Sequence, residues 1–177
     1  VQSLDSFFAV DTTGSMGPEI LALKNSLTNT IIPGVKAAAA KDAQFGVAAV
    51  EDFPVNPYGT ANFYPGNLDD QSLILLQNIT ADVTAAQNAV AKLLNAAGTA
   101  PRGAGNDLPE GQMEALYQLA TGVGNVVANV SNIPANTMGI GGAGFRKGAL
   151  PVVTMITDAI FHTKGEPATS CTIRLST

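Results

Sequence analysis

Three short apolar runs, each closing on an acid, limit what this chain can fold into. SFFAV, residues 6–10, runs into Asp11; QFGVAAVED, residues 44–52, ends in Glu51 and Asp52; ALPVVTMITDA, residues 149–159, carries Asp158 near its end. Long apolar runs broken by Gly and Pro suit strands buried on both faces, the habit of parallel sheets packed between helices. The composition fits this habit. Apolar residues make up 46% of the chain and charged residues 13%, about half the ~25% usual for soluble domains.

Between these runs the apolar spacing turns helical. Ile20, Leu23, Leu27 and Ile31 predict a helix over residues 18–32, with Pro18 in its first turn, Pro33-Gly34 stopping or kinking it, and AAAAK at residues 37–41 able to prolong it. Residues 53–72 read as a loop holding at most one short strand, and residues 80–97 as an amphipathic helix through Val83, Val90, Leu93 and Leu94. Asp107 and Glu110 have the spacing of a capping box, with Pro109 inside the first turn of a helix continued by Met113, Leu116 and Leu119. Residues 122–148 read as a long loop rich in Gly and Asn. Alternating strands and helices give an α/β class with a mainly parallel sheet.

The 177 residues suffice for one domain with a sizeable core. No apolar run reaches the about 18 residues that cross a membrane. Cys171 is the only cysteine, so no internal disulfide forms. A net charge of −5 disfavours a nucleic-acid partner and favours cations.

In open parallel sheets, ligands bind beyond the carboxyl ends of the strands. Asp11, Asp52 and Asp158 sit at such ends, and Asp107 and Glu110 sit at a helix start near the same edge. A single acid there is ordinarily a turn former or a helix cap. Several acids together, with Thr13 and Ser15 spaced D-x-T-x-S behind Asp11, repel one another unless something cationic joins them. The flanking motifs contain no Lys or Arg, so a metal ion is the economical answer. Carboxylate and hydroxyl oxygens suit Mg²⁺, or else Mn²⁺ or Ca²⁺, rather than Zn²⁺. The lone His162 and lone Cys171 cannot build a nitrogen–sulfur site; His162, after the third strand, could be a ligand or base, though such a residue is more often a core or surface histidine.

DTTGSM, residues 11–16, resembles the Asp-x-Ser/Thr-x-Ser motif of von Willebrand factor A domains, the metal-ion-dependent adhesion site. FGVAAVEDFPVNPY, DLPEGQMEAL and GFRKGALPVVTMITDAIFH are similar, in order, to further blocks of the integrin β I-like branch of that family, together covering residues 4–166. The resemblance implies a Rossmann-like A domain, single over residues 1–177. Against the family the last strand–helix units are missing, which implies either a fragment, with CTIRLST at residues 171–177 able to begin one of them, or a sheet completed by something else. The metal ligands it implies are Asp11, Thr13, Ser15, Glu110 and Asp158. A second cation site draws on Asp52, Asp107, the Pro109 carbonyl and Glu110, but the Asn of that site falls on Gly105, with Asn106 one place off. The implied function is not enzymatic. It is adhesion or ligand binding at the cell surface or outside the cell, where a protein or matrix partner presents an acidic side chain to the metal.

Two other classes stay open. DTTGS and GAGNDLPE also resemble motifs of haloacid-dehalogenase-type phosphotransferases, with Asp11 as nucleophile and Asp107 helping to hold Mg²⁺. In that comparison Thr12 replaces a Lys and Ala104 replaces an Asp. The other class is a metal-free structural scaffold on the same fold.

Overall fold

A computed structural model describes residues 3–38, 42–60, 70–127 and 131–163; Cys171 and the 171–177 segment lie outside the described residues. Strand β1 (Leu4–Asp11) runs through the middle of the sheet. It pairs in parallel with β2 (Ala43–Val50) on one side and with β6 (Leu150–Ile156) on the other. β3 (Ile74–Thr80) joins the outer side of β2 antiparallel, which makes the order β3-β2-β1-β6. Leu4 stands opposite both Ala43 and Leu150, and Val10 opposite both Ala49 and Ile156. The three parallel strands therefore finish in step, and their trailing acids emerge at one edge.

Alternate side chains of the sheet feed two cores. Phe8, Val10, Phe45 and Val47 pack with Ile20, Leu27, Ile32 and Val90 on one face. Phe7, Ala9, Ala48 and Val50 pack with Ala115, Leu119, Ile133 and Phe145 on the other. The architecture is α/β, a mixed and mostly parallel sheet between helices, as the alternation of elements predicts.

Several local expectations are corrected. β6 is not a buried strand: Leu150 is 48% exposed and Val152 39%, because β6 has β1 on one side only and forms the sheet edge among the described residues. An apolar run does not reveal whether its strand is central or at an edge. Of the two outcomes left open at Pro33-Gly34, the helix continues rather than stops, and it starts at Ile20 rather than Pro18. It runs as α1 (Ile20–Ser26), a π-helical turn (Leu27–Ile31) and α2 (Ile32–Ala38). In that wider register the Thr28 carbonyl falls to residue 33, a proline with no N–H to give. Gln87 Nε2, from α3 (Val83–Ala91), donates to Thr28 O instead at 2.7 Å. α3 itself is shorter than residues 80–97; Asp82 caps it by accepting from the Ala85 N–H at 3.0 Å.

The helix after Asp107 also starts late. α4 spans Gln112–Thr121 with Gly111 at its cap and no side-chain cap, so Asp107 and Glu110 form no capping box and Pro109 precedes the first turn. Glu110 is held elsewhere: its N–H donates to Ile160 O at 2.9 Å, and its carbonyl accepts from the His162 N–H at 3.1 Å. Residues 122–148 are more ordered than a loop. They contain a hairpin, β4 (Asn125–Val127) with β5 (Ser131–Ile133), and return Ala143 and Phe145 to the core. The return passes so close to α4 that a Cβ at Gly141, where φ is +64°, would lie 2.1 Å from Leu119 O. No described helix is long and apolar enough to cross a membrane.

Gly46 pairs with Phe7 across β1 and β2, and a Cβ there would meet Phe7 Cδ2 at 2.4 Å. Gly46→Ala should therefore destabilise the fold by about 1–3 kcal/mol, seen as a lower midpoint in urea. An unchanged midpoint would mean that the Phe7 ring moves aside without cost.

Candidate metal centre

The loops beyond the strand ends are stitched together by backbone hydrogen bonds. The Gly103 N–H donates to Thr12 O at 2.9 Å, Gly14 N–H to Ala104 O at 2.7 Å, and Gly111 N–H to Glu51 O at 3.1 Å. The buried Asp70 adds its carboxylate, which accepts from the N–H groups of Ala104 and Gly105 at 3.0 and 3.1 Å. Four chain segments are thus fixed around one small volume before any side chain of the site is considered.

Asp11 ends β1 and is fully buried. Its Oδ1 accepts from the Thr13 N–H at 2.9 Å and from Thr13 Oγ1 at 2.7 Å, and its Oδ2 accepts from Thr157 Oγ1 at 2.7 Å. Thr13 Oγ1 and Ser15 Oγ lie 3.2 Å apart, and Ser15 Oγ donates to Asp158 Oδ1 at 2.9 Å. The short 3-10 turn Gly14–Met16 brings the second hydroxyl round beside the first. Glu110 is buried next to Thr13 and feels the charges of both Asp52 and Asp11. The residues Asp11, Thr13, Ser15, Glu110 and Asp158 therefore come to one place. Its buried side is Asp11, Thr13 and Glu110; its open side is Ser15 and Asp158.

The electrostatics are those of an unbalanced acidic pocket. Burial pushes Asp11 up; hydrogen bonds from Thr13 and Thr157 oppose that, and the Asp158 charge adds to it. Glu110 is pushed up to about 9, first by burial and then by the charges of Asp52 and Asp11. Its Oε2 is buried with no hydrogen-bond partner. Asp52 is raised too, by burial, with His162 opposing. Glu51, the companion acid at the end of β2, is pushed up to about 7 by burial although Arg102 pairs with it at 3.0 Å.

The residues named for a second cation site divide. Asp52 is buried beside His162, with Oδ2 3.1 Å from Nε2; Asp107 Oδ1 lies 3.9 Å from the same nitrogen. Asp52, Asp107 and His162 form the group of acidic and histidine ligand atoms, among the described residues, that all lie within 4.8 Å of one another. Asn106 does not substitute for the missing Asn at 105: its Nδ2 donates to Pro57 O at 3.0 Å, away from the acids. Gly105 cannot readily carry a side chain, since φ is +63° and a Cβ would stand 2.7 Å from Glu110 Oε1. His162, which the sequence left open between ligand, base and plain core or surface residue, lies against Asp52. Its signal was its position, four places after Asp158 on the same edge; the contact with Asp52 needed the fold. Thr157, which orients Asp11, opens the TDAIFH block of the resemblance but was given no role there.

A scan of family models and a search of curated proteins return no match to this chain.

The raised Glu110 has a signed consequence. Its carboxyl titrates near 4.5 when unfolded and near 9 when folded, so between those values the folded state holds a proton that the unfolded state has lost. Stability contributed by this group is present below about pH 4.5 and is lost as pH rises toward 9. In chelator, Glu110→Gln should therefore gain stability over the wild type progressively across that window, read by urea denaturation at stepped pH. A constant difference would place the Glu110 carboxylate in better-solvated surroundings.

Proposed function

We propose that this chain is a von Willebrand factor A-type domain, nearest the integrin β I-like branch. It works as an adhesion or ligand-binding module outside the cell or on its surface. In this reading Asp11, Thr13, Ser15, Glu110 and Asp158 hold a divalent cation, Mg²⁺ first and Mn²⁺ or Ca²⁺ as alternatives. A carboxylate from a protein or matrix partner completes the metal's shell.

The observation that carries the reading is the burial of Asp11 and Glu110 without an Arg or Lys partner among the described residues, whereas Glu51 beside them pairs with Arg102. At the amino ends of the strands, Asp5 and Asp42 face Arg146, which contacts them at 2.7 and 2.6 Å. At the carboxyl ends, Asp11 and Glu110 are buried with no Lys or Arg ion pair among the described residues. Burying a carboxylate without a counter-charge is costly, and a divalent cation supplies that charge. The donor set is all oxygen and mixes acids with hydroxyls, which suits a hard cation that keeps some of its waters. Ser15 and Asp158 on the exposed side leave room for a ligand from outside. The bound ion reverses the local sign of a chain whose net charge is −5, so acidic partners become acceptable only in its presence. Asp11 already accepts from donors on both oxygens, which favours a role in holding over one as a phosphorylated nucleophile.

Calorimetry on metal-stripped protein should show Mg²⁺ binding that Asp11→Ala abolishes, and Mg²⁺ at about 100 times its dissociation constant should add about 2.7 kcal/mol of stability. Equal binding by wild type and Asp11→Ala would refute the ligand assignment. If the adhesion reading holds, immobilised protein retains a matrix extract in Mg²⁺, releases it in chelator, and fails to retain the same extract after its carboxyl groups are amidated. Retention unaffected by chelator or by amidation would remove the metal-bridged mechanism.

A further inference from the structure

We infer that Asp70 is a positioning residue for the metal centre: by holding the N–H groups of Ala104 and Gly105 it sets where Thr13 and Glu110 stand, and so how tightly Mg²⁺ is bound there. The inference rests on the reading of Thr13 and Glu110 as metal ligands and extends it to a residue that is not itself a ligand. Asp70 lies between the blocks FGVAAVEDFPVNPY and DLPEGQMEAL and belongs to neither, so the resemblance implies nothing for it.

Asp70 precedes β3 and is 2% exposed. Its Oδ1 accepts from the Ala104 N–H at 3.0 Å. Its Oδ2 accepts from the Gly105 N–H at 3.1 Å, the Thr60 N–H at 2.8 Å and Thr60 Oγ1 at 3.1 Å. The Asp70 N–H donates in return to Thr60 O at 3.1 Å. Gly59 leaves the space for this clasp: a Cβ there would stand 3.0 Å from Asp70 Oδ2 and 2.4 Å from Phe53 O. A buried carboxylate is costly unless hydrogen bonds replace its water, and these donors do so on both oxygens. None of them belongs to a candidate metal ligand, so Asp70 acts on the centre through the backbone that it holds.

That backbone is the part of the loop that touches the centre. Ala104 O accepts from the Gly14 N–H at 2.7 Å, and the Gly103 N–H donates to Thr12 O at 2.9 Å. Thr13 is therefore anchored on both sides to residues 103–104. Gly105 comes closer still: a Cβ on it would lie 3.2 Å from Thr13 Cβ and 2.7 Å from Glu110 Oε1. Its backbone fills the gap between two proposed ligands, and Asp70 holds it there by the N–H. Loosening the clasp moves the surface on which Thr13 and Glu110 rest. Mg²⁺ demands near-octahedral ligands at about 2.0–2.1 Å, so a small shift lowers affinity. Arg102 ties the same loop to Glu51 at 3.0 Å, so losing the clasp loosens the loop without freeing it.

Asp70→Asn keeps the size, removes the charge and turns one acceptor oxygen into a donor that faces other donors. Calorimetry on metal-stripped protein should show its Mg²⁺ dissociation constant raised by roughly 10–100-fold, the loss typical of an outer-shell partner. Amide hydrogen exchange at Gly14 and Gly105 should speed up in the metal-free variant while β1 keeps its protection. Asp82→Ala is the control, since it removes the α3 cap at the other end of the sheet, where Thr80 pairs with Phe45. It should lower the urea midpoint and leave Mg²⁺ affinity as in the wild type; an Asp70 that only stabilised the fold would behave the same way. Should Asp70→Asn not fold, Thr60→Val, which removes one donor to Oδ2 and keeps the charge, decides by a several-fold weaker Mg²⁺ affinity. Wild-type affinity in whichever of these two variants folds, or equal weakening in Asp82→Ala, would overturn the inference and leave the metal reading standing. A wild type that binds no Mg²⁺ would end both.

Discussion

The uncompensated burial of carboxylates beyond the strand ends is the constraint around which this structure is organised. Asp11, Asp52 and Glu110 are each almost wholly removed from water, and each is shifted toward its neutral form. Hydrogen bonds offset part of this cost. Asp11 accepts three, from Thr13 and Thr157, and Glu110 has an oxygen that accepts none. Neutral carboxyls or a bound cation are the two ways to settle such a cluster. Burial and the charges of Asp52 and Asp11 push Glu110 up to about 9, so a cation is what would favour its ionised form near neutral pH.

The parallel sheet makes that concentration of acid unavoidable. Because β1, β2 and β6 end in step, any acid placed one or two residues past a strand arrives beside its neighbours. The backbone then removes the remaining freedom. Glu110 is clasped by Ile160 and His162, Gly111 by Glu51, and Gly14 by Ala104. The clasp at Glu110 is what denies α4 its capping box, so a feature that would have strengthened a helix is given up to place a carboxylate. Local preference yields to the site here, as sequences do where function competes with propensity.

Much of this was legible in the residues. The apolar runs fixed β1 and β2 within a residue or two, and the acids at their ends pointed to the right edge. What stayed hidden depended on distant partners. β3 went unread because ILLQNIT has no clean alternation, and its pairing with β2 is irregular. The π turn and the continuation through Pro33 depend on Gln87, 59 positions from the carbonyl it satisfies. The hairpin in residues 122–148 rests on glycines whose reversed backbone lets the chain return against α4. His162 was left open between a ligand or base and a core or surface residue, because the TDAIFH block alone does not say what the ring faces. Its meaning lies in a contact 110 residues away, with Asp52.

Glu110 ties the two candidate centres into one system. It lies within reach of the charges of Asp11 on one side and of Asp52 and Asp107 on the other. A cation at either centre would favour its ionised form. Once ionised, Glu110 would present negative charge to the groups on both sides of it. Direct repulsion between two cations opposes any gain from that charge, and the shared carboxylate lies where it screens them from each other. The sign of the coupling therefore turns on how much of the cost of ionising Glu110 the first ion has already met. Burial, and then the charges of Asp52 and Asp11, are what set that cost.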